Sequence, residues 1–572
     1  MRLPQILVFV GLALVLGVPF LLRPAAEPVG GKGGTGGGTR ATLVVVTPHV
    51  PQIRAEFEFA FDRWHRREHG SGVTIDWRVP GGTSEIVKQL ESQYVAAAKA
   101  GRFDFSDESD PKAAPGTIAF DLMFGGGSFD HGRVKRGVTL RKTFVTLTGQ
   151  TQSEVRLPMS RPAGFTQDQL DAWFGENSVG AQLLYDPEQF WLGTALSGFG
   201  IVYNRDALAR LGLSEPTAFG DLTDPRYRGE LVLADPRQSG SVTTTFDSIL
   251  NWHLYSHAVK DGFAAQLDAA LRDNETPWER VIMPAHSASV EAAFDAGWRE
   301  LRELAANARS FTNSSTKPPI DVSAGEAAAG LAIDFYGRGQ AQAILAPGQE
   351  AAETRVGYVD PKGSVSIDAD PISILRGGPN PELAKRFVAF CLSDEGQALW
   401  QFRATTQPGG AANPPGPGGE PLGPQREQLR RMPARRAMYE TYAPFMIDPV
   451  NPFELASPTL PAGWRGAIAP MMGAFAIDVH AEIKAAWDAL LAARADASFP
   501  PETLAEMERL FYAFPPTRVG DEDLAFTAAN LGAIRAEWRK PGRADQTRIE
   551  YTKWFRENYA RVVALQETRG GS

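Results

Sequence analysis

Short apolar runs alternate with amphipathic stretches along residues 41–128, and this alternation restricts the folds open to the chain. Leu43-Val44-Val45-Val46 is wholly apolar and β-branched, as a strand buried on both faces requires. It stops at Thr47-Pro48-His49. A helix is predicted over about 53–69, with Ile53, Phe57, Ala60, Phe61 and Trp64 on one face and Gly70 as its stop. Residues 73–77 read as a second strand, ending in Pro80-Gly81-Gly82-Thr83-Ser84. Ser84 is the expected N-cap of the next helix. Residues 120–124 form a third apolar run, ending in Gly125-Gly126-Gly127-Ser128, while 101–116 reads as a polar insertion. Such alternation predicts an α/β fold with a mainly parallel sheet and right-handed crossovers. Ligands of such sheets sit at the carboxyl ends of the strands. The loops there are TPH, PGGTS and GGGS; the last two are glycine-rich, which lets backbone N–H groups approach a ligand.

A second surface of the same kind lies further along. Residues 200–204 read as a strand crossing to a new core, and residues 221–246 contain Asp224-Pro225, Arg228-Gly229, a short apolar strand, Asp235-Pro236 and Ser239-Gly240-Ser241. Proline-set turns followed by small hydroxyl residues predict a strand whose loop caps a helix, a place to hold a small anionic or polar ligand. Helical patterns follow at 246–257, 264–272 and 289–306, then a short helix at 322–329 and a strand at 330–334 leading to Phe335-Tyr336-Gly337. An extended return covers 356–374, with helices at 381–390 and 395–402. Residues 407–424 are dense in Pro and Gly and read as a linker or long surface loop. Helices are predicted at 480–495, 502–511, 522–539 and 545–566, the last burying Tyr551, Phe555, Tyr559 and Val562.

A chain of 572 residues can bury two or three cores, and 43% hydrophobic with 22% charged residues is a globular composition. A net charge of -9 supplies no basic field for nucleic acid. The one cysteine, Cys391, excludes an internal disulfide and reads as a buried thiol. Residues 6–22 form an uncharged apolar run, between a signal sequence and a spanning helix in length. Residues 1–23 are therefore either a cleaved signal peptide or a membrane anchor. Residues 24–40 are a glycine-rich tether, and the remainder is exported.

These segments resemble the extracellular solute-binding proteins of ABC importers, in the branch that includes ferric-iron, thiamine, polyamine and phosphonate binders. The resemblance rests on Ile201-Val202-Tyr203-Asn204; on Asp221-Leu222 with Arg228-Gly229, Asp235-Pro236 and Ser239-Gly240-Ser241; on residues 322–326; and on Asn380-Pro381 through Leu392-Ser393-Asp394-Glu395-Gly396. It covers about 43–402, and 430–487 more loosely. It implies a two-lobed periplasmic-binding-protein type II fold over 41–406. One lobe would span about 41–195 and 370–406, the other about 200–368, followed by a mainly helical C-terminal extension over 425–572. It further implies a monomeric, periplasmic binding component, not an enzyme and without a cofactor, that closes on a small solute and delivers it to an ABC permease in the membrane.

Two kinds of solute remain open. Ferric-iron members use a His, a Glu and two adjacent tyrosines; His49 and Tyr336 fall at the first and last of these positions. The Gly125–Ser128 loop and Phe335 occupy the others, a poor set for a hard ion. The hydroxyls and amides of Thr83, Ser84, Gly126, Gly127, Ser128, Ser239, Ser241, Thr243 and Ser314 suit an oxyanion-bearing organic molecule better. Asp368 and Asp370 would favour a cationic or hydroxylated portion, or are turn formers only. The remaining alternatives are a membrane-tethered sensor or scaffold and a zinc hydrolase. The latter rests on His65-Arg66-Arg67-Glu68-His69, a motif on a stripe expected to be solvated and carrying two arginines that repel a dication.

Overall fold

The computed structural model describes residues 40–568 except 108–109, 147–148, 274, 347–348 and 350–352, with the side chains of 142–153 and 241 also left out. The apolar run near the N-terminus and the glycine tether before residue 40 lie outside the described residues. Among the described residues, no helix is long and apolar enough to cross a membrane.

The first lobe is built on β1 (Ala41–Val46), β2 (Val73–Arg78) and β3 (Leu122–Phe124), with β2 and β3 pairing parallel on either side of β1. Leu43 and Val45 pack into one core and Val46 into the core on the opposite face. That two-sided burial is what the unbroken apolar run requires. Helix α1 (Pro51–His69) starts at a proline and ends at Gly70, whose φ of 71° places it in the left-handed region. It buries Ile53, Phe57 and Phe61 against the sheet. Helix α2 (Thr83–Lys99) is capped by Gly82, two residues earlier than the expected Ser84. Helix α3 (Ser128–Arg136) begins at the end of the glycine loop.

Strand β4 (Leu192–Asn204) is far longer than the five residues predicted, and all thirteen of its residues are buried. Its first half pairs with β9 (Ile367–Ile374) in the first lobe, and its second half with β7 (Ala329–Ile333) and β8 (Val356–Val359) in the second. In the second lobe β5 (Leu231–Ala234) lies between β7 and β6 (Ala308–Thr312), parallel to both. The full order is β6-β5-β7-β4-β9-β3-β1-β2. This is the two-lobed α/β arrangement, with β4 and β9 passing between the lobes. Helix α4 (Gly240–Lys260) follows β5 and is capped by Ser239, whose Oγ accepts from the Val242 N–H at 3.4 Å. Helix α5 (Trp278–Asn307) packs beside it.

Two local predictions need correction. The helix expected at 322–329 runs instead over Lys317–Ala324, because Pro318 and Pro319 occupy its first turn, where no N–H is needed. Gly325 (φ 80°) ends it. The helix expected at 522–539 is a hairpin, Thr517–Val519 with Glu522–Leu524, turned by Gly520 (φ 60°), followed by a helix over Leu531–Trp538.

The C-terminal part is divided between the lobes. Residues 403–456 pack on the first lobe, where β10 (Met432–Pro433) adds to β4 and Leu429, Met432 and Ala434 enter its core. The chain then passes to the second lobe: the Ser457 N–H donates to Val365 O, and the Ala462 N–H donates to Asn251 Oδ1 at 2.9 Å. Helices α6 (His480–Ala495) and α7 (Arg543–Glu567) share one core with β5, α4 and α5. Tyr551, Phe555, Tyr559 and Val562 are buried there, as their helical spacing predicts. Arg302 is buried among them, its guanidinium stacked on Phe475, Phe514 and Phe555 and bonded to the carbonyls of Phe511 and Ala513. A chain ending before residue 425 is therefore expected to leave the second lobe unable to fold, which soluble expression and thermal unfolding will show. Phe555→Ala in the full chain should cost about 3–5 kcal/mol in denaturant unfolding.

Candidate functional site

The carboxyl ends of β1, β3, β5 and β7 face the passage between the lobes, and the loops that follow them carry most of the predicted residues. His49, after β1, is buried with its ring against Phe124 (centroids 4.5 Å apart). Its place is shaped by Gly125: a Cβ there would fall 2.6 Å from the His49 ring, and φ is 93°. Gly126 (φ 109°) lies likewise against Thr83, where a Cβ would meet the side chain at 2.6 Å. The Ser128 N–H, at the start of α3, donates to Asp368 Oδ2 at 3.1 Å. Ser84 is exposed.

The centre of this region is a residue that sequence reasoning missed. Arg431, just before β10, is 2% exposed and inserts its guanidinium between the loops of the first lobe and the crossing strands. It forms an ion pair with Asp370 on β9 and donates to Ser197 Oγ on β4 at 2.7 Å. Its Nη1 lies 3.0 Å from His49 Nε2. Its Cζ lies 4.2 Å from the Phe335 ring centroid and 5.5 Å from that of Trp400. An arginine can only donate, so His49 Nε2 is the acceptor and the imidazole is neutral, its proton on Nδ1. Burial lowers the His49 pKa in the same sense, outweighing Asp370. The 3.5 Å approach of Asp370 to the same Nε2 is then a contact, not a hydrogen bond. For Asp370, burial is overcome chiefly by the Arg431 guanidinium, which holds the carboxyl below its usual range. The Tyr336 ring lies against Phe335, centroids 4.2 Å apart and tilted by 48°, and burial raises its phenol while Arg431 opposes that rise.

The predicted residues thus divide. His49, Tyr336 and Asp370 gather around Arg431, while Gly127 and Ser128 lie against Asp368 and Gly126 against Thr83. Ser239 and Thr243 do not offer their hydroxyls: Ser239 caps α4, and Thr243 Oγ1 donates to Ser239 O (2.9 Å) and Pro236 O (3.0 Å). Their polarity is used locally, as short hydroxyl side chains at helix starts often are. Ser314 Oγ pairs with Thr316 at 2.9 Å on the surface. The side chain of Ser241 lies outside the described residues. His65, expected on a solvated stripe, is instead 2% exposed, bonded to Ser71 O at 2.8 Å with the Arg386 guanidinium 3.3 Å from its Nε2. That guanidinium and the exposure of His69 leave the motif without a cation-binding geometry.

A second arginine from the C-terminal part reaches the same passage. Arg465 donates to Thr244 Oγ1 and Gly240 O, both at 2.9 Å, at the start of α4. Burial raises the pKa of Asp130 on α3, with Arg133 and then Arg465 opposing the rise. Nearby Asp247 is buried, its Oδ1 has no partner among the described residues, and burial pushes it up to about 6, against Arg465. Behind it lies an enclosed hollow of about 20 Å³, lined from both lobes by Gln182, Thr244, Asp247, Ser366, Ser457 and Thr459. That volume holds about one water.

Residues 164–416 match the family described as bacterial extracellular solute-binding protein. An uncharacterized protein of Haemophilus influenzae is 30% identical over 209 residues, 35% of this chain and 44% of that one. A phosphoglycerate transport regulatory protein of Salmonella typhimurium is 22% identical over 208 residues, 36% of this chain and 40% of that one. The chain thus spans less than half the length of these curated relatives. Among solved structures, the periplasmic binding protein AfuA from Actinobacillus pleuropneumoniae aligns with a TM-score of 0.38 and 17% identity, over 63% of this chain and 82% of that one.

Asp247 gives a pH prediction with a definite sign. Its folded pKa lies above its unfolded value, so the folded state binds the extra proton and the contribution to stability is lost as pH rises through about 6. Asp247→Asn is therefore expected to raise the melting temperature at pH 7.5 and to change it little at pH 4, as read by thermal denaturation at the two pH values.

Proposed function

We propose that the protein is the extracytoplasmic binding component of an ABC importer and that it takes an oxyanion-bearing organic solute into the passage between its lobes. The observation that carries this reading is Arg431. Its guanidinium stands among His49, Asp370 and Tyr336, where a bound cation would have to sit. A fixed positive charge there disfavours ferric iron and favours an anion. Arg431 Nε has no partner among the described residues, and neither has His49 Nδ1, so two buried donors are unspent. Buried N–H groups of that kind are met in binding proteins by the ligand. The glycine loop before α3 adds backbone donors at a helix N-terminus. The phosphoglycerate transport named for the Salmonella relative is in keeping with a phosphate-bearing solute. The match of residues 164–416 to the bacterial extracellular solute-binding family supports export to the periplasm and delivery to a membrane permease.

The test is calorimetric titration of the purified protein with organic phosphates, carboxylates and ferric iron. Arg431→Gln, made together with Asp370→Asn so that no buried carboxylate is stranded, is expected to weaken oxyanion binding by about ten- to a hundredfold, the range for a charged hydrogen bond. Ferric iron binding at one equivalent in the wild type, or unaltered oxyanion affinity in the double variant, overturns the reading.

A further inference from the structure

Most buried charge outside the Arg431 cluster is satisfied within the protein. Asp334 and Asp360 share Arg338 as counter-ion, although Asp334 Oδ1 has no hydrogen-bond partner among the described residues, and Glu56 accepts from three consecutive backbone N–H groups at 425–427. Asp448 pairs with Arg430. Asp368 differs. It stands on β9 two residues before Asp370, so both side chains leave the same face of the strand, about 7 Å apart along it. Its register partner is Ser197, the residue whose hydroxyl accepts from Arg431. Asp368 therefore shares one surface with the guanidinium but forms no ion pair with it; the carboxylate that does is Asp370.

The surroundings of Asp368 are built closely around one of its oxygens. Oδ2 accepts from the Ser128 N–H, and a Cβ on Gly127 would lie 3.3 Å from it, tighter than ordinary contact. Oδ1 is sealed from solvent and has no partner among the described residues. Burial pushes the carboxyl up to about 6, against the Ser128 hydrogen bonds, so the group has both proton states within reach near neutral pH. A carboxylate buried with one oxygen unmet is a costly arrangement, and such groups mark places where a donor arrives from outside the chain.

We propose that Asp368 is a specificity-determining residue of the cleft, its Oδ1 accepting a hydrogen bond from a hydroxyl or ammonium group on a solute whose oxyanion is held at Arg431. The solute class is then a short hydroxylated or amino-substituted organic phosphate or carboxylate, its two ends matched to positions 368 and 431. This inference rests on the oxyanion reading above. A site built to accept from a substrate donor discriminates against an analogue lacking it, because the buried acceptor is then left unpaired.

The experiment compares matched probes by calorimetry on the full chain: glycerol phosphate with propyl phosphate, 3-aminopropyl phosphate with propyl phosphate, and glycerate with propionate. In the wild type the hydroxylated or aminated member of at least one pair is expected to bind at least about tenfold tighter. Asp368→Ala should reduce that ratio to within about twofold while leaving propyl phosphate or propionate affinity nearly unchanged. Asp368→Asn, which preserves shape and guards against misfolding of the alanine variant, should abolish the preference for the ammonium and keep part of that for the hydroxyl. Equal affinities within all three pairs in the wild type, or ratios unmoved in both variants, overturn the role of Asp368 alone. Failure of every phosphate and carboxylate to bind overturns the oxyanion reading, and this proposal with it.

Discussion

A guanidinium with 2% exposure must find its charge and hydrogen-bond partners inside the protein, and Arg431 finds them on three separate parts of the chain. Asp370 comes from one crossing strand, Ser197 from the other, and His49 from the loop after the first strand. Truncating any of the three would leave a buried donor unmet, a cost of about 1–3 kcal/mol and more for a charge. The pair thus fixes where residues 430–433 lie along β4, and it fixes the polarity of the passage between the lobes. Arg430 extends the same constraint: it pairs with Asp448 and donates to Arg338 O at 2.9 Å, tying the segment to the second lobe.

That tie gives the hinge region a third passage of chain. Beyond β4 and β9, residues 457–462 run from the first lobe to the second, and β10 adds a third strand at the level of the crossing. Relative rotation of the lobes has to bend or shear this extra connection along with the two strands. The C-terminal helices then close the second lobe's core, so the part of the chain that lies outside the matched family segment is structural for the lobe that the segment begins. Arg465 shows the same part contributing to the passage itself, at the N-terminal end of α4.

The carboxylates around the passage fall into two states by their neighbours. Asp370 and Asp448 are held below the usual range by arginines despite burial. Asp247 and Asp368 are pushed up to about 6 by burial against weaker opposition. The first pair acts as fixed negative charge that orients guanidinium groups. Asp247, Asp368 and also Asp370 each keep one oxygen, Oδ1, without a partner among the described residues, which is where the interior has polar capacity left over.

Much of the fold was legible along the chain because its cause is local. The run Leu43-Val44-Val45-Val46 is buried on both faces, Gly70 ends α1, Ser239 caps α4, and Tyr551, Phe555, Tyr559 and Val562 line one face of α7. Periodicity and capping act within a few residues, so composition reveals them. The two-lobed arrangement was implied by the resemblance of these segments to solute-binding proteins. What only the tertiary structure decided is which polar groups remain available. Ser239 and Thr243 look like ligand hydroxyls in the sequence but are consumed by their own helix start. Arg431, which no sequence pattern singled out, lies in the hinge because partners more than 60 residues distant converge on it. Local pattern cannot encode such a meeting, since burial of a charge is set by what surrounds it in space and not by its neighbours in sequence.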